Sequence, residues 1–205
     1  MKSLIESCFY FIAGHGRGWA FSSSDLLARF SRQQADSLLS ELAGLGKIRR
    51  VAHGMYDYPG YSELLGKTLS PDIDQVARAY ARKFNWRIEV AGETALNLLG
   101  LSTQIPASYV YLSDGPNRRY EILGQTLEFR KSALKNIGFK YRESMLIVQA
   151  LKALGKEHVS PAIIGKIHQQ IEPAQCEKIL RDTKSVTGWI YEAMKAICRD
   201  ESSHG

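Results

Sequence analysis

A chain of 205 residues, 44% hydrophobic and 23% charged, has room for one large domain or two small ones with a buried core. No apolar run approaches the roughly 18 to 20 residues of a membrane span. The N-terminal stretch has Glu6 in its approach and no A-x-A site, so it reads as a helix and not a signal peptide, and a cytoplasmic protein is expected. The net charge of +6 suggests a polyanionic partner. Lys and Arg outnumber Asp and Glu by 7 to 5 over residues 1–60 and by 12 to 8 over 61–142, but stand 8 to 8 over 143–205. Cys8, Cys176 and Cys198 are far apart and form no C-x-x-C, which suits thiols in a reducing compartment.

In chain order, Leu4, Ile5, Cys8, Phe9 and Ile12 keep helical spacing and predict a helix over 3–13, closed by the glycines of GHGRG. WAFS predicts a short strand. SSSDLLARF then carries a capping signature, Ser22 with Asp25 three residues on, and predicts a second helix. The device recurs at once: Ser31 with Gln34 precedes Ala35, Leu38, Leu39, Leu42 and Leu45, one apolar stripe of a third helix, with Gln33, Ser37 and Ser40 opposite it. KIRRVAHGMYDY predicts a basic hairpin, strands 47–51 and 55–58, turning at Gly54. Helix, strand, helix, helix, hairpin is the order of a winged helix-turn-helix over residues 1–60, and the hairpin would be its wing.

Residues 61–72 read as a connector into a second, α+β domain over 61–205. There, IDQVARAYARKFNW predicts an amphipathic helix, RIEV a strand and GETALNLLG a short helix. ASYVYL, RRYEIL and TLEFRK predict strands, with turns at 114–117 and Gly124. From about Glu143 the chain turns helical, with segments near 143–154, 160–170, 173–183 and 187–200. The fold class expected is therefore α+β, a winged helix-turn-helix followed by a mixed domain with a helical end.

An exposed helix start bearing Arg32, Gln33, Gln34 and Ser37 after the cap Ser31 suits the DNA major groove, where Arg reads guanine and Gln reads adenine. Lys47, Arg49, Arg50 and His53 of the wing, and Arg17 between glycines, suit phosphates. Strand alternation puts Arg49 and Arg50 on opposite faces, so one serves DNA and the other the wing's rear. Two bland readings stand beside this one: a solvated helix face, or a winged helix used for protein contacts. Salt dependence separates them.

In the second domain, Arg118, Arg119, Arg130, Lys131 and Lys135 are interleaved with Tyr109, Tyr111, Tyr120 and Tyr141. That mixture suits RNA or single strands, or simply the wet face of a sheet. Glu93 reads as a first-turn stabiliser or as an acid facing a cleft. Asp114 and Glu128 roughly match the metal-binding acids of restriction-type nucleases, yet Arg130 stands where such a site needs a lysine. The five histidines form no ligand spacing, and no catalytic or phosphate-loop motif occurs. No cofactor, metal or enzymatic activity is expected.

The stretches GRGWAFSSSDLL, SRQQADSLLSELAGLGKIRRVAHGMYDYP and AGETALNLLGLSTQIPASYVYLSDGPNRRYEILGQTLEFRK resemble the AbiEi family of antitoxins, winged-helix regulators of type IV toxin–antitoxin systems. The resemblance covers about residues 1–145, and its most specific parts are the wing and the GETALNLLGL helix. It implies an N-terminal domain that binds inverted repeats in its own promoter and represses the operon. It implies a C-terminal domain that opposes a nucleotidyltransferase-type toxin without needing to bind it, in phage defence. Residues 146–205 match no pattern of that family. The alternatives are a winged-helix regulator without a toxin partner and, beyond that, a nucleic-acid-processing enzyme.

Overall fold

Three capping boxes start the chain's first helical turns. In a computed structural model, which describes residues 3–102, 104, 106–132 and 139–199, Ser3 with Glu6 caps α1 (Leu4–Ala13), Ser22 with Asp25 caps a 3-10 turn (Ser23–Leu26), and Ser31 with Gln34 caps α2 (Arg32–Gly44). In each, the Ser hydroxyl accepts a backbone N–H of the first turn and the acid or amide returns a bond to the cap.

The second expected helix is thus a single 3-10 turn. Ser22 and Ser31 both adopt the extended backbone of a cap, and the residues between them hold the 3-10 turn followed by a turn and a bend. The stripe of α2 is also shorter than expected. Ala35, Leu38, Leu39 and Leu42 are buried, but Leu45 forms the C-cap, beyond the last helical residue, and is 61% exposed.

Strands β1 (Ala20–Phe21), β2 (Arg49–Ala52) and β3 (Met55–Asp57) form an antiparallel sheet of order β1-β3-β2. Gly54 turns the β2–β3 hairpin at φ 63°. A bulge between Arg50 and Ala52 re-aims the strand after Arg49 pairs with Asp57 and Arg50 with Tyr56. Cys8 and Ile12 of α1, Phe21 of β1, Leu39 and Leu42 of α2, and Tyr56 of β3 share one core.

The expected connector contains a small antiparallel ladder, β4 (Tyr61–Ser62) with β5 (Lys67–Thr68). Helix α3 (Ile73–Phe84) follows, capped by Asp72, and ends on Asn85 in the left-handed conformation. Strand β6 (Ile88–Val90), helix α4 (Gly92–Leu98) and strand β7 (Tyr109–Ser113) come next, then β8 (Arg118–Ile122) and β9 (Gln125–Lys131), joined by a tight turn at Leu123 and Gly124. The last third is helical: α5 (Arg142–Leu154), α6 (Pro161–His168), α7 (Cys176–Asp182) and α8 (Gly188–Ile197).

The fold is mixed α+β, and the chain forms two compact units. The first comprises residues 1–88 and 113–131, so the β8–β9 hairpin belongs with the N-terminal elements and α3. Tyr80 of α3 stacks on Tyr120 of β8 at 3.9 Å, and Phe129 of β9 meets Trp86 edge-on at 5.4 Å. Gly115 makes room for Trp86: a Cβ there would lie 2.4 Å from the indole.

The second unit comprises residues 89–112 and 132–205. Its centre is α5, buried at Met145–Val148, Ala150 and Leu151. Helix α4 reaches α5 closely because Gly92 has no side chain; a Cβ there would stand 2.6 Å from Ala153 Cβ. Thr94 Oγ1 accepts the Val110 N–H at 2.7 Å and ties α4 to β7. Pro161 stands at the start of α6, and Pro173 begins the 3-10 turn that leads into α7. Trp86 and Trp189, read as core residues from sequence, are half-buried. No helix among the described residues is long and apolar enough to cross a membrane.

Candidate nucleic-acid interface

Helix α2 buries one side against the first core, and its opposite side carries Gln33, Ser37, Ser40 and Gly44, all exposed. At about 100° per residue these four positions form one continuous ridge. Its side chains are short and uncharged beyond Gln33, so another surface can approach the helix closely. Asp36 and Glu41, both exposed, flank the ridge on either side; sequence reading passed over them. Their carboxylates put a negative charge on each side of the ridge.

Two residues expected to contact bases are used inside the protein. Ser31 Oγ accepts the Gln34 N–H at 3.3 Å, and Gln34 Oε1 accepts the Ser31 N–H at 3.0 Å. Their polar atoms hold the start of α2 in place. Arg32 is exposed but anchored, with Nη1 donating to Ser23 Oγ at 3.0 Å, so the 3-10 turn sets its direction.

The hairpin divides its two arginines between its faces. Arg49 donates from Nε and Nη2 to both carboxylate oxygens of Asp57, at 3.0 and 2.5 Å, and from Nη1 to the Leu69 carbonyl at 2.9 Å. Asp57 is buried, so Arg49 is the rear-face arginine and not a phosphate contact. Arg50 is exposed; its guanidinium lies over the Tyr56 ring and donates to the Tyr56 hydroxyl at 2.8 Å. His53 is exposed at the tip, and Lys47 is exposed at the base, 5.9 Å from the Phe9 ring centre. Arg17 is likewise held by the protein, donating to the Pro59 carbonyl at 3.0 Å and lying over the Tyr58 ring.

One cation escaped sequence reading. Lys83, in the last turn of α3, places its ammonium 3.2 Å from where a Cβ would stand on Gly54, at the hairpin tip. Only the lysine's place in ARKF was visible in the sequence, and nothing there pointed to the hairpin. On the other side of α3, Arg82 donates to Asp25 Oδ1 at 2.6 Å and to the Ala20 carbonyl at 2.7 Å, tying α3 to β1 and the 3-10 turn.

The β8–β9 hairpin sorts its charges by face. Arg119, Glu121, Thr126, Glu128 and Arg130 share one face in the observed register. Arg119 pairs with Glu121, and Arg130 holds Glu128 through two bonds of 2.9 and 3.0 Å. The Glu128 carboxylate raises the Arg130 pKa above the usual arginine value, through its hydrogen bonds first and its charge second. That face is a neutral Arg–Glu ladder. Arg118 and Lys131 are exposed and line one open groove with Asn117 and Phe129, which Arg119, Glu128 and Arg130 also border; among the described residues neither Arg118 nor Lys131 has an ion pair. Lys135 lies outside the described residues.

The tyrosines expected to interleave with these cations are mostly packed. Tyr120 is stacked on Tyr80 and Tyr111 is buried; Tyr109 is half-buried, and Tyr141 lies in the second unit. Asp114 accepts the Arg87 backbone N–H at 2.8 Å and its Nε at 2.9 Å. These bonds hold its carboxyl below the usual range, so it works as a partner of Arg87. Glu93 is exposed in the first turn of α4, and no group of three or more potential metal ligands occurs among the described residues.

Residues 11–179 match a family of unknown function, DUF6088. The chain belongs to that family. No curated protein matches it. Among solved structures, this DUF6088 protein is similar to the RV2827C protein from Mycobacterium tuberculosis, at 14% identity and a TM-score of 0.42, over 97% of this chain and 77% of that one.

Proposed function

We propose that this DUF6088 protein is a cytoplasmic DNA-binding regulator whose first 60 residues act as a winged helix-turn-helix. Helix α2 would enter the major groove and the β2–β3 hairpin would follow the backbone beside it. The carrying observation is the exposed ridge Gln33, Ser37, Ser40 and Gly44, next to a hairpin whose Lys47, Arg50 and His53 are exposed. In this reading the first helix of the motif is one 3-10 turn, and Arg32 is presented from it. The resemblance to AbiEi antitoxins extends the proposal: the protein represses its own operon through inverted repeats and opposes a nucleotidyltransferase-type toxin.

Fluorescence anisotropy against the protein's own upstream DNA and against random duplex, at two salt concentrations, tests this. Tight, sequence-dependent binding is expected. Gln33→Ala should lower the preference by about 1–3 kcal/mol, while Arg50→Ala should weaken both duplexes alike. Equal, weak binding to both duplexes would overturn it. Expression of an adjacent nucleotidyltransferase-type toxin, with and without this protein, tests the antitoxin part.

A further inference from the structure

The hairpin β8–β9 is remote from the wing in sequence, yet β8 runs beside the wing strand β2 within the first unit. It is anchored there by α3, through the Tyr80–Tyr120 stack. The same helix carries Lys83 to the wing tip at Gly54. One helix therefore meets both the wing tip, through Lys83, and the second hairpin, which carries Arg118 and Lys131.

The charges near that hairpin are mostly cancelled. Arg87 pairs with Asp114, Arg119 with Glu121 and Arg130 with Glu128. Arg118 and Lys131 are left without an ion pair among the described residues, exposed, and on one groove, whose only carboxylate, Glu128, is already held by Arg130. Asn117 Oδ1 accepts the Lys131 backbone N–H at 2.6 Å and pins that end of the groove.

We infer that the Arg118–Lys131 groove, with Lys83, extends the DNA surface beyond the wing and binds the phosphate backbone of the same duplex. This rests on the DNA-binding reading above. Duplex backbone fits better than single-stranded nucleic acid, because single-strand binding relies on bases stacking on exposed rings. The rings beside this groove, Tyr120 and Phe129, are committed to the packing around Tyr80 and Trp86. Cations without a stacking platform recognise charge and not bases, so the contact positions DNA without reading its sequence.

The test compares the full chain with Arg118→Gln/Lys131→Gln, and separately with Lys83→Gln, on upstream duplex, random duplex and single-stranded DNA. Thermal unfolding of each variant checks its fold. Each lost phosphate contact lowers the salt slope by about 0.9, so from 50 to 200 mM salt the wild type should lose about twelvefold more affinity than the double variant, on both duplexes. Lys83→Gln should lower the slope by about half as much. The charge-neutral pair Arg181→Gln/Glu177→Gln, an exposed ion pair on α7, should leave it unchanged.

A wild-type slope in the folded double variant would overturn the inference. So would a loss confined to single-stranded DNA. The α2 reading fails by a different sign, the wild type showing no preference for its upstream region, and the slope comparison on random duplex stays informative in that case.

Discussion

Replacing Arg49 with alanine should unfold the first unit well before it weakens a DNA complex. Asp57 is 1% exposed on β3, and Arg49 directly opposite supplies its two charge-assisted bonds; the Arg49 side chain is 25% exposed. Removing one partner of a buried pair leaves an uncompensated charge, which costs about 3–5 kcal/mol. Because a quarter of Arg49 already meets solvent, water can reach part of the vacated site, and about 3 kcal/mol is the reasonable figure. For a chain of this size that is a fall in Tm of roughly 6–12 °C. The Leu69 carbonyl loses its donor in the same step.

Thermal unfolding by circular dichroism reads the effect. Arg49→Met combined with Asp57→Leu should recover most of the loss, since an apolar pair needs no charge compensation. DNA titration well below the lowered Tm should give a wild-type salt slope. An Arg49→Ala protein with unchanged Tm and a reduced slope would refute the reasoning and return Arg49 to the phosphate face.

Three further outcomes follow from particular contacts. Ser31→Ala should lower stability by about 1 kcal/mol by opening the α2 capping box, as measured by urea unfolding, whereas an unchanged midpoint would mean that Ser31 and Gln34 are free for other work. Gly115→Ala should cost about 1–3 kcal/mol and shift Trp86 fluorescence, because the new methyl meets the indole; a wild-type spectrum and Tm would contradict that packing. Burial pushes the Cys8 thiol up to about 11. Burial and then the neighbouring Cys176 push the Cys198 thiol up to about 12. Both should alkylate slowly near neutral pH, so rapid labelling of Cys8 in the folded protein would be incompatible with the core described here.

A pH prediction concerns Asp114. Hydrogen bonds from the Arg87 side chain, then from its backbone, hold the carboxyl low. A depressed folded pKa means that the pair's contribution is present above the ordinary carboxylate range. It is lost only as pH falls through the depressed value. An NMR titration of the Asp114 carboxyl carbon should have its midpoint below that of a free aspartate, and a midpoint at or above it would remove Arg87 as the cause.

Local chemistry was legible in the sequence wherever neighbours in the chain are also neighbours in space. The Ser22–Asp25 and Ser31–Gln34 boxes, the Ala35–Leu42 stripe, the turns at Gly54 and Gly124 and the positions of the C-terminal helices all follow from spacing over a few residues. Even the split between Arg49 and Arg50 follows from strand alternation, although alternation alone could not say which would find Asp57. Tertiary structure decided the rest. Only packing places Asp57 across from Arg49, brings β8 beside β2 and sets Lys83 at the tip of the β2–β3 hairpin, because those partners lie on separate elements and periodicity within one element has no information about another. The same is true of charge. Sequence counts five cations on and just after the β8–β9 hairpin; Arg119 and Arg130 pair with glutamates two residues away on their own strands, but only the folded hairpin brings Arg118 and Lys131 onto one groove.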